Sequence, residues 1–159
     1  KLLLDHPELA DNNASYYGQL GWYYYLEHDF SESEKASLKA LEMDPNMIYA
    51  QYNLALVYLH TDRFDESLKA YKNAFIIDET HWVIFDSIYD LENITYEKCN
   101  PNAVNFMLGL HYFEIKYYED SLKYLGLFLD SSDPQIPESW YNEAQKLDKR
   151  IRIISDLSK

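Results

Sequence analysis

The sequence predicts an all-α protein: a helical solenoid of three helix–turn–helix copies, with one inserted helix and a long C-terminal capping helix. Three observations carry this. The stretch QLGWYYYLEHDFSESEKASLKAL at 19–41 returns as NLALVYLHTDRFDESLKAYKNAF at 53–75 and as MLGLHYFEIKYYEDSLKYLGLFL at 107–129. Within a copy the apolar residues recur at helical spacing. In the second, Leu54, Val57 and Tyr58 form one stripe, Phe64, Leu68, Tyr71 and Phe75 another, and the polar turn His60-Thr61-Asp62-Arg63 separates them. Gly (4) and Pro (5) are scarce among 159 residues, so obligatory turns are few and helices are favoured over a sandwich or barrel. Two short helices cannot bury both faces alone, so each copy must stack on a neighbour.

Taken in order, residues 1–13 carry Leu2, Leu3, Leu4 and Leu9 and read as a cap or the end of a preceding helix. Copies one and two occupy 14–47 and 48–81, and copy three 102–135. The second and third copies begin 54 residues apart, not 34, and the surplus falls at 82–101. There Trp82, Phe85, Ile88 and Tyr89 follow helical spacing, no partner helix follows, and Asn100-Pro101-Asn102 is a break. One unpaired helix is expected, either continuing the stack or folding across its inner face. From 136 to 159 the apolar stripe Trp140, Ala144, Leu147, Ile151, Ile154, Leu157 runs without a turn, which predicts one amphipathic capping helix. A homodimer through 137–159 is the sharper alternative. All of 1–159 reads as a single domain.

The period and pattern resemble the tetratricopeptide repeat, W-x₂-L-G-x₂-Y, then A-x₃-F, then P. Copy one has Tyr17 for the Trp, Leu20, Gly21 and Tyr24, Ser33 and Ser37 for the Ala and Phe, then Ala40 and Pro45. Copy two has Gln51 for the Trp, Leu54, Ala55 and Tyr58, then Ser67, Tyr71 and Ala74, with Glu79 for the Pro. Copy three has Asn105 for the Trp, Leu108, Gly109 and Tyr112, then Ser121 and Leu125, with Phe128 where a small Ala is normal. Trp140, Tyr141 and Ala144 echo the start of a fourth copy. Gly21, Ala55 and Gly109 are small where paired helices meet, Ser33, Ser67 and Ser121 are small opposite them, and Tyr24, Tyr58 and Tyr112 are expected to fill the space between.

The resemblance implies a right-handed solenoid whose first helices line a concave groove. On this chain that groove would present Trp22, Tyr25, Tyr49, Tyr52, Asn53, Leu56, Phe106, Leu110 and Phe113, an aromatic and aliphatic surface with few charges. Such a surface suits an apolar peptide or helix of a protein partner. One subgroup of the family grips C-terminal carboxylates with Lys, Asn and Arg in the groove. Only Asn53 fits that pattern, because Gly18, Trp22, Ala103 and Met107 hold the other places. The expected role is therefore a non-catalytic scaffold or adaptor. The alternative is a structural or oligomerising segment of a larger protein whose groove is filled by the inserted or C-terminal helix.

Chemistry finds no foothold. His6, His28, His60, His81 and His111 are scattered, Cys99 has no evident partner, and no zinc pattern, phosphate-binding glycine loop or nucleophile elbow is present. Asp65-Glu66 and Glu119-Asp120 begin second helices, where their charge suits the helix dipole. No enzymatic activity, cofactor or metal is expected. The net charge is −13, which repels phosphate backbones and argues against nucleic-acid partners. Residues 146–159 depart from this, with five bases (Lys146, Lys149, Arg150, Arg152, Lys159) against two acids. No apolar run is long enough for membrane insertion. The single cysteine fits a reducing, cytoplasmic setting. The chain begins at Lys1, which reads as a fragment whose targeting signal would lie outside it. The sequons at Asn13 and Asn93 are short enough to arise by chance and carry no argument.

Overall fold

The computed structural model describes residues 13–94 and 99–157. The leucine-rich start of the chain and residues 95–98 of the expected insertion lie outside the described residues. Among those described there are eight helices and no strand. They are α1 (Ala14–Leu26), α2 (Phe30–Met43), α3 (Ile48–His60), α4 (Phe64–Ile77), α5 (Val83–Glu92), α6 (Pro101–Glu114), α7 (Tyr118–Leu129) and α8 (Glu138–Leu157). The fold is all-α, in keeping with a helical-repeat architecture. The chain divides into two compact units between Val83 and Ile84.

The first unit holds the pairs α1–α2 and α3–α4. Short polar side chains start two of these helices. Asn13 Oδ1 accepts the Tyr16 N–H at 3.1 Å, and Asp29 Oδ1 accepts the Glu32 N–H at 3.1 Å. The second unit holds α5, the pair α6–α7, and α8. Pro101 opens α6 behind Asn100, whose side chain accepts the N–H groups of Asn102 and Ala103.

The three pairs share one turn. His28, Asp62 and Lys116 stand at the same place in each copy, and all are left-handed, with φ of 61°, 56° and 64°. The next residue closes the turn: the N–H groups of Asp29, Arg63 and Tyr117 donate to the carbonyls of Tyr24, Tyr58 and Tyr112, each at 2.9 Å. This six-to-one bond is the Schellman cap, which satisfies a carbonyl the helix end leaves unpaired. The bond uses only the backbone of Tyr24, Tyr58 and Tyr112 and would serve any residue there. Their rings are half-buried instead of filling the space between the helices.

What brings the paired helices together is smallness. Ser33, Ser67 and Ser121 are fully buried, and their hydroxyls donate to the carbonyls of Gly21, Ala55 and Gly109, each at 2.8 Å. A Cβ on Gly109 would lie 2.6 Å from Leu125 Cδ2, so an alanine here would force the buried Leu125 side chain to shift.

In the second unit α5 turns Ile84, Ser87, Ile88 and Leu91 inward. Ser87 Oγ lies 2.9 Å from His111 Nε2 of α6, and Glu92 accepts the hydroxyls of Tyr112 (2.8 Å) and Tyr124 (3.0 Å). The inserted helix is therefore fastened to the α6–α7 pair. The C-terminal helix is single and uninterrupted, and it packs on α6 and α7 through Trp140, Ala144 and Ile151. Its apolar stripe is not buried to the end, since Leu157 is 84% exposed.

Candidate functional site

The nine residues expected to line a groove divide by exposure. Tyr49 is exposed and Trp22, Tyr25 and Phe113 are half-buried, whereas Tyr52, Asn53, Leu56, Phe106 and Leu110 are buried. In the first unit, Trp22 and Tyr25 stack at 5.1 Å between ring centroids. The Tyr25 hydroxyl lies 2.9 Å from His60 Nε2, and the His60 ring stacks on Phe30 at 5.0 Å. Helical spacing places Trp22 and Tyr25 on one side of α1; the turn into α2 brings Phe30 to Tyr25, and the packing of α3 on α1 brings His60. Leu26 of α1 and Tyr49 of α3 are more than half exposed. Phe30 was invisible to the sequence reading, because it opens a second helix and the groove is expected from first helices.

The inner residues of α3 serve packing. The Asn53 amide donates to the Gly18 carbonyl at 3.0 Å and ties α3 to α1. Tyr52 meets Tyr71 of α4 at 6.2 Å. One N–H of the Asn53 amide is thus committed to the protein's own backbone, and the residue is buried.

The third copy is covered by its own chain. Phe106 lies between Phe128 at 5.0 Å and Trp140 at 4.6 Å, and Phe128 in turn stacks on Tyr141 at 4.5 Å. Phe128 stands where Ala40 and Ala74 stand in the earlier copies, and its extra volume meets α8. Trp140 fills the first-helix place that Tyr17, Gln51 and Asn105 hold elsewhere. Phe113 carries the Arg150 guanidinium 5.2 Å above its ring.

The remaining polar groups are structural. His111 is fully buried, with Nδ1 2.7 Å from the Met107 carbonyl, and burial lowers its pKa to about 3, so it stays neutral. Arg63 binds both oxygens of Glu34 at 2.8 Å, reaches Glu66 through Nε at 2.9 Å, and lies 4.2 Å over the Tyr58 ring. Cys99 is buried. Among the described residues no three His, Cys, Asp or Glu side chains are grouped to hold a metal ion, and no helix is long and apolar enough to cross a membrane.

The tetratricopeptide repeat family matches residues 14–47 and 48–81, the boundaries read from the sequence for copies one and two. No curated protein matches the chain. Repeats of this family generally mediate protein–protein interaction and are not catalytic. The shared turn and serine bond recur in α6–α7, outside the matched residues. Residues 14–81 are two adjacent repeats of the tetratricopeptide family.

Proposed function

We propose that this chain is a non-catalytic protein-interaction module, and that residues 14–81 take an apolar peptide or helix of a partner along the side bearing Trp22, Tyr25 and Tyr49. The observation that carries this reading is the half-buried Trp22–Tyr25–His60–Phe30 cluster. Aromatic groups left partly exposed on an interaction repeat are favoured anchors for a partner's apolar side chains. Asn53, Tyr52 and Leu56 support the surface from beneath.

A second reading, a structural segment whose inner face is filled by its own chain, is favoured for the α6–α7 pair by Trp140 on Phe106. The two readings apply to different parts of the chain. The test is a titration of the full chain with a leucine-rich amphipathic helical peptide, using a glutamine-for-leucine peptide as control. Trp22→Ala and Tyr49→Ala should each weaken binding of the leucine peptide about tenfold, with the helical circular dichroism signal intact. Equal binding of both peptides, or no effect of either substitution, would refute the proposal.

A further inference from the structure

The second unit carries an aromatic face that none of its own described helices covers. Phe85 and Tyr89 point outward from α5, 48% and 66% exposed, and Tyr117 is 53% exposed at the turn before α7. Phe85 meets Tyr117 edge-on at 6.4 Å, Tyr117 stacks on Tyr112 at 6.5 Å, and Tyr112 stacks on Tyr124 at 5.5 Å with only 3° between ring planes. The four rings form one run from α5 across the turn to α7. Carboxylates border it. Asp86 and Asp90 lie one helical turn apart beside Phe85 and Tyr89, Glu92 holds the two tyrosine hydroxyls, and Asp120 acts on Tyr112. Neither Asp86 nor Asp90 has an ion-pair partner among the described residues. Burial and the neighbouring Asp86 push the Asp90 carboxyl up to about 6, as expected where no cation answers it.

The second copy shows what such a place accommodates. Fifty-four residues earlier, Tyr58 corresponds to Tyr112, Glu66 to Asp120 and Arg63 to Tyr117. There the chain supplies its own cation: the Arg63 guanidinium lies over the Tyr58 ring and pairs with Glu66 and with Glu34 of α2. The third copy keeps the ring and the carboxylate but replaces the arginine with another tyrosine. Lys123, 4.7 Å over the Tyr124 ring, shows that these rings also accept a cation.

We infer that the Phe85–Tyr89–Tyr117 face docks a basic segment of a partner protein, with an arginine or lysine over the rings and between the carboxylates of α5 and α7. Charge complementarity selects this occupant: a chain of net charge −13 presents here aromatic faces and unanswered carboxylates together. The site lies outside the surface proposed above, and its test is independent of that proposal.

The experiment is fluorescence anisotropy of the full chain with a fluorescein-labelled peptide of alternating arginine and leucine, and a glutamate–leucine peptide as control. The arginine peptide should bind and the glutamate peptide should not. Asp86→Asn/Asp90→Asn and, separately, Phe85→Ala/Tyr89→Ala should each weaken binding about tenfold or more. Glu27→Gln/Glu79→Gln makes the same charge change in the first unit and should leave binding within about twofold. Absence of arginine-peptide binding would overturn the inference. So would equal loss in the Glu27/Glu79 variant, which would mean diffuse attraction, or no loss in either α5 variant. A dimer in sedimentation velocity that Asp86→Asn/Asp90→Asn dissociates would place a second copy on this face and overturn it too.

Discussion

The α1–α2 and α6–α7 pairs are built on one frame and end differently. Both close their turn on a left-handed residue, His28 or Lys116, and both seat a buried serine on a glycine carbonyl. On the first, Trp22 and Tyr25 remain half-exposed. On the second, Leu110 at the place of Trp22 is buried, Phe113 at the place of Tyr25 lies half-buried under the Arg150 guanidinium, and Phe106, at the place of Gly18, is sealed beneath Trp140. The backbone motif sets how two helices meet, and a few side chains decide whether the resulting face is surface or core. A repeat pattern alone therefore identifies the frame and leaves the site undetermined.

The widest separation between the two pairs should come from their tryptophans. Trp140→Ala should cost about 3–5 kcal/mol in urea denaturation, because it opens a cavity against Phe106, whereas Trp22→Ala should cost about 1 kcal/mol. Similar costs would mean that α8 does not seal the third copy.

Acid should act on the second unit through His111. Its folded pKa of about 3 lies below the ordinary 6.5, so between these values the unfolded chain binds a proton that the folded chain refuses. The stability His111 contributes is full above pH 6.5 and falls as the pH drops toward 3. Asp90 works oppositely: its raised pKa of about 6 gives stability at low pH that is lost as pH rises through 6. His111→Gln should flatten the loss of stability on acidification, and Asp90→Asn should steepen it, measured as thermal midpoint against pH. No change in slope for His111→Gln would contradict the buried, neutral assignment.

Two glycines of the α6–α7 pair sharpen the packing argument. Gly109→Ala should destabilise by about 1–3 kcal/mol, since the new methyl meets Leu125. Gly126 has nothing within 4 Å of an added Cβ and lies inside α7, so Gly126→Ala should stabilise by about 0.5–1 kcal/mol. The smallest effect is expected at the turn. Lys116→Gly relieves a left-handed backbone and should be neutral or stabilising by about 0.5 kcal/mol, a gain offset in part by the entropy of the unfolded chain. All three are read from chemical denaturation midpoints.

Much of this frame was legible in the sequence. The small residues at 21, 55 and 109, the serines opposite them, the lone helix after copy two and the long C-terminal helix all follow from spacing and residue size, because helix pairing is a local constraint that repeats. The site was less legible. Burial of Tyr52, Leu56 and Phe106 depends on which distant element covers them, and periodicity within a helix carries no record of that. Phe128 was the one local signal that α8 packs there: a large ring in place of Ala40 and Ala74. The unanswered carboxylates of α5 became visible only when Arg63 was seen paired in the second copy.

The central claim is that partner contact falls on the exposed aromatics of residues 14–81 while the inner face of the third copy is occupied by its own chain. Hydrogen exchange of the full chain, with and without the leucine-rich helical peptide, tests it most directly. The account predicts added protection in α1 and α3, with α6 and α8 unchanged. Protection confined to α6, or release of α8 as the peptide binds, would contradict it.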